Sequence, residues 1–382
     1  MKRVLVTGAT GLLGAYVVAR LLKQGGLVRG LARSPSARHA VEALGAEAVP
    51  GELSQVESLV AAAAGCDTIV HAAAAIATNR HAAGLRQVNV TGTTNVLAAA
   101  ERAGCRLVHV SSTAVFGASR YTLRPDETTA LPELPADDAY GRSKQEAERT
   151  VLAAHAAGRI WAAVVRPPMM YGRGDRQLAP RLGPILSRGL FPLAGGGDTQ
   201  IALVHADAVA EGIVRVASRD AAGGRVYHLT HDFDLTLAEL VRYAGVGLGR
   251  RIRTPRVPVT MARLAVFPVQ AALVAAGRRD LASQVPGLLA LLTRDNPFTS
   301  DRARRELSWS PTVSPHQGVP EAFRWWRDHR TRSGTSRRQS PPPIAERGYR
   351  PRASSSRSLM RLAAPEKICR TPILLFPRVR ST

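Results

Sequence analysis

The 382-residue sequence predicts an α/β fold, a doubly wound parallel sheet followed by a smaller C-terminal lobe. Three observations support this prediction. Short β-rich apolar runs alternate with helical patterns over the first 170 residues, which is typical of a parallel sheet with helices on both faces. A glycine-rich turn joins the first strand to the first helix, and from about residue 175 the alternation loosens.

The elements of the first part are predicted from their apolar spacing. Helical patterns cover Leu12–Gln24 and Gln87–Ala103. Five apolar runs predict buried parallel strands, namely Arg3–Thr7, Leu27–Ala32, Thr68–His71, Leu107–Ser111 and Trp161–Arg166. Because such sheets bind ligands at the carboxyl ends of their strands, we expect the functional site there.

The rest of the chain divides into two further parts. Glycine-rich turns, a strand-like run at Arg225–Thr230 and a helix that starts near Thr236 predict a smaller lobe over residues 176–330, interleaved with the last strands of the domain formed by residues 1–175. Residues 331–382 are rich in Arg, Ser and Pro, which predicts a disordered basic tail.

The net charge of +23 does not by itself indicate a nucleic-acid partner. Of the 52 basic residues 48 are Arg and 4 are Lys, and the tail alone contributes +10 through 12 basic and 2 acidic residues. No nucleic-acid-binding motif accompanies the charge, so we predict no nucleic-acid binding. The three cysteines are too scattered for a disulfide framework or a metal site. With no signal peptide and no apolar run of membrane-spanning length, we expect a cytoplasmic protein.

Three glycines at intervals of three residues, Gly8, Gly11 and Gly14, lie where the first strand ends and the first helix begins. Glycine is suited to this position because the turn is tight, the backbone must approach a phosphate group, and helix and strand pack closely. The helix N-terminus adds a partial positive charge. The segment therefore predicts a dinucleotide site in which Thr10, Leu12 and Leu13 lie beside the glycines.

The order of the motifs resembles that of the extended short-chain dehydrogenase/reductase superfamily, in which the sheet is a Rossmann fold. The resemblance covers about residues 2–330 and implies that residues 1–175 form an NAD(P)-binding domain and residues 176–330 a substrate lobe. It rests on seven segments after the glycine turn: GELSQVESL (51–59), IVHAAA (69–74), NVTGTTNVL (89–97), VSSTAVFG (110–117), YGRSK (140–144), VVRPPMMYGRGD (164–175) and VHADAVA (204–210).

The end of the second predicted strand bears on the choice of cofactor. NAD-binding proteins place an acidic residue there for the ribose 2′-hydroxyl, whereas this chain has Ala32 followed by Arg33. A guanidinium suits a 2′-phosphate, so NADP(H) is favoured and NAD(H) stays open. The resemblance implies further cofactor contacts at Glu52, Leu53, Ala72, Ala73, Ala74, Asn89, Pro167 and Met170, with Glu52 standing where the family has Asp.

Tyr140 and Lys144 are four residues apart, which places them on one face of a helix that Asp137 or Asp138 could cap. An ammonium beside a phenol favours the phenolate, so we expect Lys144, helped by the positive charge of an oxidised nicotinamide, to lower the pKa of Tyr140. By the resemblance, Tyr140 exchanges the proton, Lys144 also binds the nicotinamide ribose, and Ser112 holds the substrate oxygen. Ser111 is the second choice, because alternation turns it the other way.

The resemblance is nearest to the 3β-hydroxysteroid dehydrogenase-like branch, because Pro-Pro-Met follows Arg166 where epimerases often carry Asn. It implies an NAD(P)-dependent oxidoreductase that interconverts a secondary alcohol and a ketone on a sterol-like or long-chain β-hydroxy or β-keto substrate. A nucleotide-sugar epimerase or dehydratase is the alternative, and a homodimer stays open. The apolar segment Val257–Gly277 fits a lid over a hydrophobic substrate, a contact with a membrane surface, or a plain core helix.

Overall fold

Seven parallel strands form the central sheet of the computed structural model, which describes residues 2–76, 82–117, 124–230, 235–264, 266–277, 282, 285 and 297–330. Their order across the sheet is β10-β6-β5-β4-β1-β2-β3. The strands are β1 (Arg3–Thr7), β2 (Leu27–Ala32), β3 (Glu47–Pro50), β4 (Thr68–His71), β5 (Arg106–Val110), β6 (Ala162–Arg166) and β10 (Val226–His228). This is the doubly wound Rossmann sheet that the sequence predicts.

The strand order reverses between β1 and β4. The chain runs outward from β1 to β3, then crosses back to β4 on the other side of β1, with Thr7 level with His71. Such a reversal opens a crevice at the carboxyl ends of the two strands, where ligands bind. Strand β3 was not predicted, because it is only four residues long and ends in Pro50.

Helices cover both faces of the sheet. One face carries α1 and α8, and the other carries α3, α5 and α6. In chain order the helices are α1 (Leu12–Lys23), α2 (Pro35–Glu42), α3 (Val56–Ala63), α4 (Ala82–Arg86), α5 (Gly92–Ala103), α6 (Ala139–Ala156), α7 (Leu178–Leu186), α8 (Ala206–Ala217), α9 (Leu237–Leu248), α10 (Val259–Leu264), α11 (Val266–Ala275), α12 (Asp301–Leu307) and α13 (Pro315–Arg330).

Caps explain where several helices begin. Asp138 caps α6 by accepting from the Gly141 amide at 2.9 Å, as predicted. Thr236 and Glu239 form a reciprocal capping box at the start of α9. The predicted helix over residues 87–103 is instead a π-helical turn, Gln87–Thr91, that continues into α5.

A second hydrophobic core lies beside the sheet, built from α7, α9 and α13. Two small sheets accompany it, one pairing β7 (Met169–Tyr171) with β9 (Leu203–His205) and the other pairing β8 (Leu193–Ala194) with β11 (Arg256–Val257). The domain boundary at residue 175 stays a prediction, and the predicted tail lies outside the described residues. Within the described ranges, no helix combines the length and apolar character needed to span a bilayer.

Candidate active site

The three glycines allow close packing at the carboxyl end of β1. Gly8 has a φ of +73°, and a Cβ atom there would lie 2.7 Å from the backbone nitrogen of Ala73. A Cβ atom on Gly14 would lie 2.1 Å from the Gly8 carbonyl oxygen. Any side chain at either position would displace backbone, so glycine is required here.

The N-terminus of α1 is free to bind an anion. Gly11 occupies the N-cap position without a side-chain hydrogen bond, and the first turn holds no acidic residue. The amides of that turn have no partner within the helix and are available to a phosphate. Thr10 and Leu12 are half-buried and Leu13 is buried beside them. These residues fit the pyrophosphate of a dinucleotide.

Two predicted cofactor contacts lie beyond the ends of the next strands. Arg33 follows β2, is exposed, and makes no ion pair with any other described residue. Glu52 follows β3 and is also exposed. Leu53 is half-buried; its carbonyl accepts from the Asn95 amide group at 2.7 Å, and its side chain packs on Gly92.

Ser112 and Tyr140 meet beyond the carboxyl end of β5. Ser112 is half-buried and caps the short turn Thr113–Phe116, whereas the Ser111 side chain is buried. Burial raises the pKa of Tyr140, and a hydrogen bond with Ser112 partly opposes that rise. The structure therefore places Ser112, the first choice from the sequence, beside the phenol.

Lys144 lies one turn further along α6 and is only 2% exposed. Its ammonium donates to the Val110 carbonyl oxygen at 2.6 Å. Burial lowers the pKa of Lys144 to about 8, and nearby Glu148 opposes this shift. Lys144 is not among the groups that shift the pKa of Tyr140 in this structure, and its lowering of that pKa together with an oxidised nicotinamide stays a prediction.

Asn89 links the crevice to α6. Its side chain accepts from the Ala75 amide at 2.8 Å and donates to the Ala75 carbonyl at 3.0 Å. It also donates to the Ser143 hydroxyl at 3.0 Å, and Ser143 donates to the Tyr140 carbonyl. Asn89 thus fixes the segment after β4 relative to the helix that carries Tyr140, and it is fully buried.

His71 continues this network toward the glycine turn. Thr93 donates to the Asn89 carbonyl at 2.6 Å, so its oxygen accepts from His71 Nε2 at 3.0 Å. His71 Nδ1 then accepts from the Thr7 hydroxyl at 2.7 Å. The chain of bonds sets the neutral tautomer of His71, and burial lowers its pKa to about 3.

The remaining predicted contacts lie at the same edge of the sheet. Ala72 and Ala73 pack against Gly8, and Ala74 is exposed. Pro167 follows β6 and its carbonyl accepts from the Thr113 amide at 3.1 Å. Met170 lies half-buried in β7.

Sequence reasoning did not find a buried ion pair behind the site. Arg166 at the end of β6 binds both carboxylate oxygens of Glu148, one turn after Lys144 on α6. Both side chains are almost fully buried. The spacing of Tyr140, Lys144 and Glu148 at four-residue intervals on one helical face was the available signal.

His109 was also missed. It is fully buried on β5, its ring centroid lies 5.5 Å from that of His71, and neither ring nitrogen has a partner among the described residues. Burial and the nearby Lys144 charge hold the pKa of His109 well below its usual range.

Comparison with known proteins decides the family. Residues 4–229 match the NAD dependent epimerase/dehydratase family. The chain belongs to this family. It is 34% identical over 318 residues to the 4-hydroxy-2-methyl-3-oxo-4-farnesyl-3,4-dihydroquinoline-1-oxide ketoreductase of Stigmatella aurantiaca, covering 83% of this chain and 94% of the relative.

Two further similarities are consistent with this placement. The 3-beta-hydroxysteroid dehydrogenase of Mycolicibacterium neoaurum is 28% identical over 342 residues, covering 86% of this chain and 92% of the relative. The crystal structure of gox2253 aligns with a TM-score of 0.68 at 27% identity, covering 86% of this chain and 99% of that chain. The predictions of an extended short-chain dehydrogenase/reductase nearest to the 3β-hydroxysteroid dehydrogenase-like branch, and of an NAD(P)-dependent oxidoreductase, are confirmed.

Proposed function

We propose that this protein reduces a ketone to a secondary alcohol on a hydrophobic, sterol-like or long-chain β-keto substrate, with NADPH as the preferred reductant. The observation that carries the proposal is the pairing of the Ser112 hydroxyl with the Tyr140 phenol at the carboxyl edge of the sheet, one helical turn from Lys144. The two named relatives, a ketoreductase and a hydroxysteroid dehydrogenase, support the substrate class.

The roles of the side chains follow from their protonation and position. A nicotinamide dinucleotide held at the glycine turn after β1 would supply a hydride for the carbonyl carbon. Ser112 donates a hydrogen bond that holds the carbonyl oxygen beside the phenol. Tyr140 gives its proton to that oxygen, which completes the alcohol. Because burial raises the pKa of Tyr140, the phenol is protonated at neutral pH and can act as the proton donor.

The preference for NADPH is supported by charge at the end of β2. Ala32 is buried and leaves no carboxylate for a ribose 2′-hydroxyl, and Arg33 beside it is exposed and unpaired among the described residues. A 2′-phosphate would supply the missing anion. The coarser statement, that the family is NAD dependent, holds with either cofactor.

The test is turnover of purified protein with NADPH and a panel of ketosteroids and alkyl β-keto acids. We expect reduction of at least one hydrophobic ketone, and a loss of about 10²–10⁴-fold in kcat for Tyr140→Phe because the proton donor is removed. Tyr243→Phe, which removes a phenol that packs beside the core of α7, α9 and α13, is the matched control and should keep full activity.

Two results would contradict the proposal. A Tyr140→Phe protein as active as the parent would remove the proton-transfer step. Turnover of a UDP-sugar with no reduction of any ketone would establish the alternative, a nucleotide-sugar epimerase or dehydratase.

A further inference from the structure

The helices α10 and α11 present a large apolar surface to solvent. Leu264 is 77% exposed, Phe267 80% and Met261 59%, and no described side chain of α11 is buried. A plain core helix, one of the interpretations of this segment, is therefore wrong for α11. Contiguous exposed apolar patches of this kind mark surfaces that bind something, because each costs free energy in water.

The same stretch of chain carries a one-sided charge. Residues 240–279 contain eight Arg and no Asp or Glu. Four of these, Arg250, Arg251, Arg253 and Arg256, are exposed immediately before α10, and none forms an ion pair within the described part of the chain. We call residues 250–275 the α10–α11 face. It combines guanidinium groups that have no carboxylate partner among the described residues with exposed apolar side chains; of the four, Arg250 donates a hydrogen bond to the Ser187 carbonyl.

The combination of positive charge and apolar surface indicates which partner can bind the α10–α11 face. A second copy of the face would bring arginines against arginines, and the chain's own segment 331–382 carries 12 basic and only 2 acidic residues. Like charges oppose both of these partners. An anionic lipid bilayer offers negative headgroups for the arginines and acyl chains for the apolar side chains.

The length of the helices limits the depth of the contact. α11 has ten residues, which at about 1.5 Å per residue reach roughly half of the ~30 Å hydrocarbon layer. We propose that the α10–α11 face docks this protein on the surface of an anionic lipid bilayer, with Leu264 and Phe267 in the acyl region and the arginine cluster at the headgroups. This proposal is independent of the reaction proposed above.

The test is flotation of the full-length protein with vesicles of phosphatidylcholine alone or mixed with phosphatidylglycerol. We expect binding to the mixed vesicles, weakened by salt. Replacing Arg250, Arg251, Arg253 and Arg256 by Gln should weaken binding by about 10²–10³-fold, since each basic residue near such a surface contributes about fivefold. Leu264→Ser with Phe267→Ser should weaken it by at least about tenfold, because the buried apolar area is lost.

Two control variants separate this surface from other causes. Leu27→Ser removes another exposed apolar side chain, 56% exposed, at the start of β2 and should bind as the parent does. Replacing Arg332, Arg337, Arg338 and Arg347 by Gln discharges part of the basic tail and should also leave most of the binding. Circular dichroism melting checks that each variant is folded.

Several results would overturn the proposal. These are an absence of binding to mixed vesicles, binding unaffected by Leu264→Ser with Phe267→Ser, or binding abolished by the tail substitutions alone. A dimer seen by light scattering that the same Leu264 and Phe267 substitutions dissociate would assign the face to a second copy instead.

Discussion

The region around the crevice at the carboxyl ends of β1, β4 and β5 differs from the α10–α11 face in whether its charged and polar groups are buried and paired. Behind the crevice, at the end of β6, Arg166 is buried and paired with Glu148; beside the crevice, His71 and Asn89 are held by hydrogen bonds. On the α10–α11 face the arginines before α10 are exposed and form no ion pair among the described residues, and the apolar side chains beside them are exposed as well.

This difference indicates what each region contributes. Breaking a buried polar network costs folding free energy, because the groups left behind lose their partners without regaining water. Removing an exposed, unpaired arginine costs the fold little and instead affects what binds there. Substitutions in the two regions should therefore separate stability from binding.

The largest expected effect is on pH-dependent stability and comes from buried neutral histidines. Burial lowers the pKa of His71 to about 3, of His205 to about 4 and of His228 to about 3, and also lowers the pKa of His109. Unfolded histidine titrates near ~6.5, so the unfolded chain binds more protons between that pH and about 4. The contribution of these histidines to the free energy of unfolding is fully present above about pH 6.5. As the pH is lowered below this value, the free energy of unfolding falls by about 1.4 kcal/mol per pH unit for each histidine that stays neutral in the folded protein.

Chemical denaturation at a series of pH values measures this slope. His109→Leu should reduce this slope by about 1.4 kcal/mol per pH unit, the value of one proton. The substitution breaks no hydrogen bond of the ring among the described residues. His39→Leu, on the exposed surface of α2, should leave the slope unchanged. Equal slopes for the parent and His109→Leu would show that His109 becomes protonated within the folded protein.

The next effect compares two ion pairs of α6. Glu148→Ala leaves Arg166 buried without its carboxylate and should lower the free energy of unfolding by about 3–5 kcal/mol. Glu146→Ala breaks the pair with Arg86, whose side chain is 63% exposed, and should cost no more than about 1 kcal/mol. Denaturant titration measures both, and similar costs would refute the contrast between buried and exposed pairs.

The smallest effect on stability is expected at Arg33, the exposed arginine proposed to bind a 2′-phosphate. Arg33→Ala should change the free energy of unfolding by less than about 0.5 kcal/mol. The same substitution should raise the KM for NADPH about 10- to 100-fold, the value of a charge-assisted bond of about 1.5–3 kcal/mol, with little change for NADH.

Steady-state kinetics with both cofactors check this prediction. Arg38 is also exposed and lies on α2. Arg38→Ala is the matched control and should leave both KM values unchanged. If the Arg33→Ala protein kept the parent's preference between NADPH and NADH, the proposal that NADPH is the preferred cofactor would be wrong.

Much of the fold could be predicted because its signals are local. Strands β1, β2 and β4 match the predicted ranges, and β5 and β6 differ by one residue at one or both ends. The glycine turn and the four-residue spacing of Tyr140 and Lys144 are also set by a few neighbouring residues. The division of the chain into lobes and the roles of the site residues stay predictions.

Contacts between distant parts of the chain could not be predicted in the same way. Asn89 and Ser143 are 54 residues apart, and Thr7 and His71 are 64 apart. Whether such residues meet depends on the order and register of the strands, which the apolar pattern of a single strand does not specify.

The sequence by itself determined the alternation of strands and helices, the glycine turn after β1 and the helical face that bears the phenol and the amine, since backbone periodicity and steric requirements act over one or two turns. Only the tertiary structure decided that Lys144 bonds to the end of β5, that Glu148 neutralises Arg166 in the interior, and that α11 lies uncovered. Burial is a property of the whole packed chain: it lowers the pKa of Lys144, and it sets the cost of breaking the pair of Arg166 with Glu148.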